Sequence, residues 1–142
     1  MRTNMKMNPR RMGVRGNAML EACLSLTLFL TLIFTICDTG WELFYHHTLM
    51  SQARAAARYG AVNPGDTAAI QNMALYNSTT GSGSGVLGLT SSNVNVNRSG
   101  TAGGTDDRIV VTITGYHYTL VTFGWAGPHA GQDIIVAAPV EN

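Results

Sequence analysis

The side chain with most at stake in this sequence is Glu21, which stands directly before the sixteen uncharged residues ACLSLTLFLTLIFTIC, positions 22 to 37. An unpaired carboxylate near mid-bilayer costs about 2.5 to 3.5 kcal/mol, so an acid inside a membrane segment marks a function by default. Among headgroups the cost is small, and Glu21 alone leaves both placements open. Other candidate chemistry is sparse. His46 and His47 are adjacent, and on a helix adjacent side chains diverge by about 100°, so they cannot chelate one metal as an i, i+4 pair does. His117 and His129 have no ligand spacing. Asp106 and Asp107, beside Gly103 and Gly104, suit either a cation or a solvated turn. No G-x-S-x-G nucleophile turn occurs. Gly83, Gly85 and Gly88 spell G-x-G-x-x-G, but without the preceding strand, following helix and later acid that dinucleotide binding requires. No catalytic residue, metal or cofactor is expected, and the chain does not read as an enzyme.

The charges say where Glu21 sits. Arg2, Lys6, Arg10, Arg11 and Arg15 fall in residues 1–16 with no acid, while residues 17–142 hold four arginines and eight acids, so the formal +1 divides into +5 and −4. A short basic head followed at once by an apolar run, with no aromatic or amide-rich reading surface, suits membrane orientation better than nucleic acid. Arg10, Arg11 and Arg15 before the run, against Asp38 and Glu42 after it, orient the amino end towards the cytoplasm.

A helix needs about 20 apolar residues to cross the hydrocarbon. Residues 22–37 are too few, but counting back through Glu21 to Asn17 gives 21. The span is therefore expected at about 18–37, with the acid at its edge or inside it, and with Trp41 and Tyr45 at the far interface. A cleavable secretory signal would need an A-x-A site after the run, and TICDTGWELF has none. Cys23 and Cys37 lie roughly 21 Å apart on such a helix, too far to bridge within one chain.

Between Pro9 and Pro64 there is no proline, and SQARAAARYG is rich in strong helix formers, with Gly60 as the expected C-cap and Gly40 as the expected bend. One helix over 17–60 would be a rod of roughly 66 Å. Leu43, His46, Leu49, Met50, Ala53, Ala56 and Ala57 share one half of it, and His47, Ser51, Gln52, Arg54 and Arg58 the other. Beyond it, Asp66 or Thr67 caps a short helix with Ile70, Met73 and Ala74 inward, and residues 79–85 form a loop. NVNVN, RIVVTITGYHY and DIIVAAPV alternate as strands, the last ended or held at a sheet edge by Pro139. The expected fold class is α+β: a long N-terminal helix and a headpiece, residues 61–142, of a short helix and a three-stranded antiparallel sheet. At this size the headpiece core is marginal and needs the apolar half of the long helix.

The motif at the membrane threshold carries a resemblance. Arginines, then Gly16, then a mostly apolar stretch with an acid as its fifth residue (Asn17, Ala18, Met19, Leu20, Glu21) resembles the class III signal of type IV pilins. Within that superfamily, RGNAMLEACLSLTLFLTLIF and the later ARAAARYGAV resemble the TadE-like family of Tad, or Flp, pilus systems over residues 15–62. The resemblance implies cleavage by prepilin peptidase between Gly16 and Asn17, removing the leader 1–16. It implies a free α-amine at Asn17 able to pair with Glu21 of an adjacent subunit. It also implies a pilin-like minor pilin, or pseudopilin, of the bacterial inner membrane, with a periplasmic headpiece. Its partners would be the peptidase, other pilins, the assembly platform and membrane lipid, with no nucleic acid and no small-molecule substrate.

A second reading is a permanently anchored periplasmic binding module using Tyr116, Tyr118, Phe123 and Trp125. The competing role for these rings is to close the small core.

Overall fold

The structure is a computed structural model that describes residues 10–120 and 127–141, with side chains from residue 16 onwards. Helix α1 spans Arg10–Val62, 53 residues, about 80 Å of rod. It begins before the expected position, so Gly16 and Asn17 lie inside it, and it stays helical through Gly40. Pro64 ends it, because proline disfavours helical geometry in the residue before it. The last turn is closed by the Asn63 N–H, which donates to the Tyr59 carbonyl at 3.0 Å.

Gly60 is not the C-cap. It lies buried within α1, and a Cβ placed there would stand 2.9 Å from both Ile109 Cγ2 and Ile70 Cδ1. The missing side chain serves close approach of the helix to the headpiece rather than chain reversal.

Helix α2, Thr67–Tyr76, starts as the sequence indicates: the Asp66 side chain accepts the Ala69 N–H at 2.9 Å. It ends at Asn77 in the left-handed region, φ 53°, whose N–H donates to the Met73 carbonyl. Ile70 and Ala74 are fully buried, joined by Ala69 and Leu75. Two short 3-10 turns, Val86–Gly88 and Ser91–Asn93, lead into the sheet.

Strands β1 (Val94–Ser99), β2 (Arg108–Ile113) and β5 (Ile134–Pro139) form an antiparallel sheet in the order β1-β2-β5. Register stacks Val94, Ile113 and Ile134 across the sheet on its inner face, as well as Val96, Val111 and Val136. Pro139 closes the edge strand β5, where its missing N–H removes no interior ladder bond.

The stretch RIVVTITGYHY is not one strand. Gly115 adopts φ +65°, and the Asn93 side-chain amide donates to the Thr114 and Gly115 carbonyls at 3.0 and 3.1 Å, so the chain turns out of β2. It re-forms as β3, His117–Tyr118, which pairs antiparallel with β4, His129–Ala130.

The core joins Leu49, Ala53, Ala56 and Ala57 of α1 to Ile70 and Leu75 of α2 and to Ile109, Val111, Ile113 and Ile134 of the sheet. Ala53, Ala56 and Ala57 are three of the four alanines of SQARAAARYG. Their small side chains let the rod lie close to the sheet, and the headpiece core is completed by the helix.

Candidate assembly site

The residues of the threshold motif all project from one bare stretch of helix. Every side chain from Gly16 to Cys37 is exposed, including Leu24 at 71% and Leu28 at 73%. An apolar surface of this extent, on a helix long and apolar enough to cross a membrane, suits lipid or other helices rather than water. Arg10, Arg11 and Arg15 occupy the turns of α1 before it.

Glu21 is exposed within this stretch and, among the described residues, has neither a hydrogen-bond nor an ion-pair partner. Asn17 lies one turn before it, so the two occupy the same side of the helix, about 6 Å apart along the axis. Gly16 is equally bare: nothing lies within 4 Å of a Cβ built on it. A glycine in a helix interior costs about 0.5 to 1 kcal/mol relative to alanine. Among the described residues no packing offsets that cost at Gly16.

The polar groups of the span are handled differently. Thr27, Thr31, Thr35 and Thr39 repeat at every fourth residue, and each hydroxyl donates to the carbonyl four residues earlier at 2.8 to 2.9 Å. With its donors turned inward, the ridge presents methyl groups outward and meets the requirement that polar hydrogens in lipid find partners within the segment. The sequence reading missed this ladder, although the fourfold spacing was its signal. Glu21 has no such bond to its own helix, as Asn17 and Ser25 also do not, and of these three it is the one that can carry a charge.

Where α1 leaves the apolar run, rings gather. Trp41 stacks on Phe44 at 5.7 Å between centroids, Tyr45 lies 5.6 Å from Trp41, and Tyr118 of β3 lies 6.3 Å from Tyr45. Tyr118 in turn contacts His129 of β4. This collar suits an interfacial belt, where aromatic rings with one polar end are favoured.

Between α1 and the β3–β4 hairpin opens a cleft of about 350 Å³, lined by Glu42, Leu43, His46, Tyr116, Tyr118 and Gly131 among others. Burial raises the Tyr118 phenol above its ordinary range, and hydrogen bonding to Glu42 adds to this. Tyr116 is raised by burial first and then by the charges of Glu42 and Asp133. Tyr116 is 7% exposed and belongs to the core, and Tyr118 packs against it, so both rings serve the core. Phe123 and Trp125 lie outside the described residues.

Asp107 is not part of a solvated turn. It is buried at 1% exposure and held by Arg98, whose Nε donates to Oδ1 at 2.8 Å and whose Nη2 donates to Oδ2, and by the Gly103 N–H at 2.9 Å. Its lone pairs are committed to a structural clasp. Among the described residues no group of three or more His, Cys, Asp or Glu side chains is placed to hold a metal.

No curated protein and no solved structure matches the chain significantly. A family model does: residues 16–58, from the bare Gly16 through Glu21 to Arg58, match the family described as TadE-like protein, which makes this segment TadE-like and ties the chain to Tad pilus assembly.

Proposed function

We propose that the protein is a minor pilin, or pseudopilin, of a Tad-type pilus, inserted in the bacterial inner membrane with its amino end cytoplasmic and its headpiece periplasmic. In this reading prepilin peptidase cuts between Gly16 and Asn17. The mature subunit is then added to the pilus by lateral packing of α1 against other pilin helices, on the inner-membrane assembly platform.

The observation that carries the reading is the partnerless, exposed Glu21, four residues after Asn17 and within the TadE-like segment. In the uncut chain a carboxylate in this position has its desolvation uncompensated. Cutting after Gly16 removes the five basic residues of the leader and creates a cation at Asn17. An ammonium on one subunit and a carboxylate on the next offset each other's desolvation and fix the axial register between them. The cost of a glycine at position 16, unrelieved by any packing, supports a requirement imposed by another protein.

N-terminal sequencing of the protein purified from cells with and without the peptidase tests this. The expected result is Asn-Ala-Met-Leu-Glu when the enzyme is present and Met-Arg-Thr when it is deleted. Met-Arg-Thr from both strains, with normal pili in a deletion of this gene, would leave the permanently anchored binding module, for which the cleft beside Glu42 is the supporting feature.

A further inference from the structure

Charges of opposite sign on α1, Glu42 against Arg54 and Arg58, form no ion pair among the described residues. Arg54 and Arg58 are exposed one turn apart on the half of the helix facing away from the headpiece, and neither has an acidic partner among the described residues. Glu42 is exposed on the headpiece side, at the mouth of the cleft under Tyr116 and Tyr118, where it accepts a hydrogen bond from Tyr118; His46 lines the same cleft, and no lysine or arginine does. Sixteen residues of α-helix separate Glu42 from Arg58, which is about 24 Å of rise and about 160° of rotation. At that separation the two charges of one chain are screened from each other.

Complementary features on nearly opposite sides of one rod are what a heterologous, head-to-tail contact needs, and such a contact propagates rather than closing on itself. We propose that the cleft at Glu42 receives the Arg58 guanidinium of a second copy of this chain, with Arg54 flanking it. This rests on the pilus-assembly reading.

The geometry makes the contact directional. Two copies at equal depth in a membrane hold Glu42 and Arg58 at heights differing by about 24 Å, and cannot pair. The pair forms when the copy offering Glu42 has been raised by that amount relative to its neighbour. The lower rod does not obstruct this, since α1 ends at Val62, four residues beyond Arg58. Arg58 itself lies 21 residues past Cys37, roughly 31 Å along the helix, beyond the reach of the headgroups on its own side of the bilayer. An anionic partner for it, beyond solvent, would therefore be protein rather than lipid. Charge pairs at a rim of this kind select register and orientation more than they add affinity.

The test uses the full chain in cells that assemble pili. In a Cys23→Ala, Cys37→Ala background, differently tagged copies carrying Glu42→Cys and Arg58→Cys are expressed together and treated with a short bis-maleimide. A mixed-tag dimer in the sheared pilus fraction is expected, and copies both carrying Glu42→Cys should give none. In parallel, Glu42→Arg should cut incorporation at least tenfold, and adding Arg58→Glu to the same chain should restore it. The positions are exposed, so membrane-fraction abundance should match wild type.

Absence of the mixed dimer while both copies are present in pili overturns the proposal and leaves the pilus reading standing. So does a Glu42→Arg defect that Arg58→Glu does not relieve, which would assign the cleft to a different cation. A protein absent from pili, whose deletion leaves piliation normal, removes both.

Discussion

Arg98 of β1 and Asp107, the residue before β2, are joined by a two-pronged ion pair that closes the connection between the two strands. The carboxylate is buried while the guanidinium remains partly exposed, 0% against 38% for the side chains. The Gly103 N–H adds a third bond to the carboxylate, and the Val140 N–H donates to the Asp107 carbonyl, so the same residue ties the loop to the end of β5. In a headpiece with so small a core, this clasp holds the two termini of the sheet together.

A dependence on acid follows. The Arg98 hydrogen bonds, and then that of Gly103, hold the Asp107 carboxyl at about 2, below its ordinary value of 3.8. A carboxyl depressed on folding contributes stability that is complete above its unfolded value and is lost as pH falls through the folded one. Thermal unfolding of the detergent-solubilised chain should thus show a midpoint that declines between about pH 4 and pH 2 on account of this group. Asp107→Asn should lower the midpoint at neutral pH and flatten that decline. An acid limb identical in the variant would remove Asp107 from it.

Gly60 sets how close α1 comes to the headpiece. Alanine usually stabilises a helix interior by about 1 kcal/mol over glycine, but at Gly60 the added carbon meets Ile70 and Ile109 at 2.9 Å. Gly60→Ala should gain nothing, and Gly60→Leu should lose about 1 to 3 kcal/mol through overpacking. Gly40→Ala, where nothing lies within 4 Å of the new carbon, should leave the headpiece midpoint unchanged. Denaturant unfolding of the three variants checks the order.

Period-based features were legible in the sequence. The alanine face of α1 and the inward positions of β2 follow from spacing alone, and the Asp66 cap follows from its place before a helical run. What escaped depends on partners far along the chain. Gly60 looked like a helix end because its reason lies in Ile70 and Ile109. Asp107 looked like a turn residue because Arg98, nine positions earlier, is a strand residue whose side chain reaches across the loop. Gly115 breaks a run that alternates well, since the Asn93 amide captures the carbonyls at that point. Glu21 is the opposite case: its place in the motif was plain, and among the described residues its own chain offers it no partner.

Gln71 is the polar tie between α2 and the sheet. Its Nε2 donates to the Ser91 carbonyl at 2.7 Å and to the Val94 carbonyl at 2.9 Å, anchoring the turn that starts β1. Gln71→Leu keeps the volume and removes both bonds, leaving two carbonyls to find water. A loss of about 1 to 3 kcal/mol is expected, with faster hydrogen exchange at residues 91–94 and little change in β5. Protection unchanged at the start of β1 would show that the 3-10 turn holds itself.

Glu21 separates folding from assembly because nothing described in its own chain touches it. Glu21→Gln should leave the headpiece unfolding midpoint at the wild-type value. It should insert in the membrane at least as well, since the cost of burying an acid is gone. Its cleavage after Gly16 should also persist. Incorporation into pili should nevertheless fall at least about tenfold, the ratio that a lost 1.4 kcal/mol produces. Glu21→Asp, with the charge kept but drawn back by one methylene, should retain part of it. Quantifying the subunit in sheared pili against the membrane fraction reads this directly. Equal incorporation of Glu21→Gln and wild type would mean that the carboxylate has no partner in the assembled pilus, and that its place in the membrane segment needs another cause.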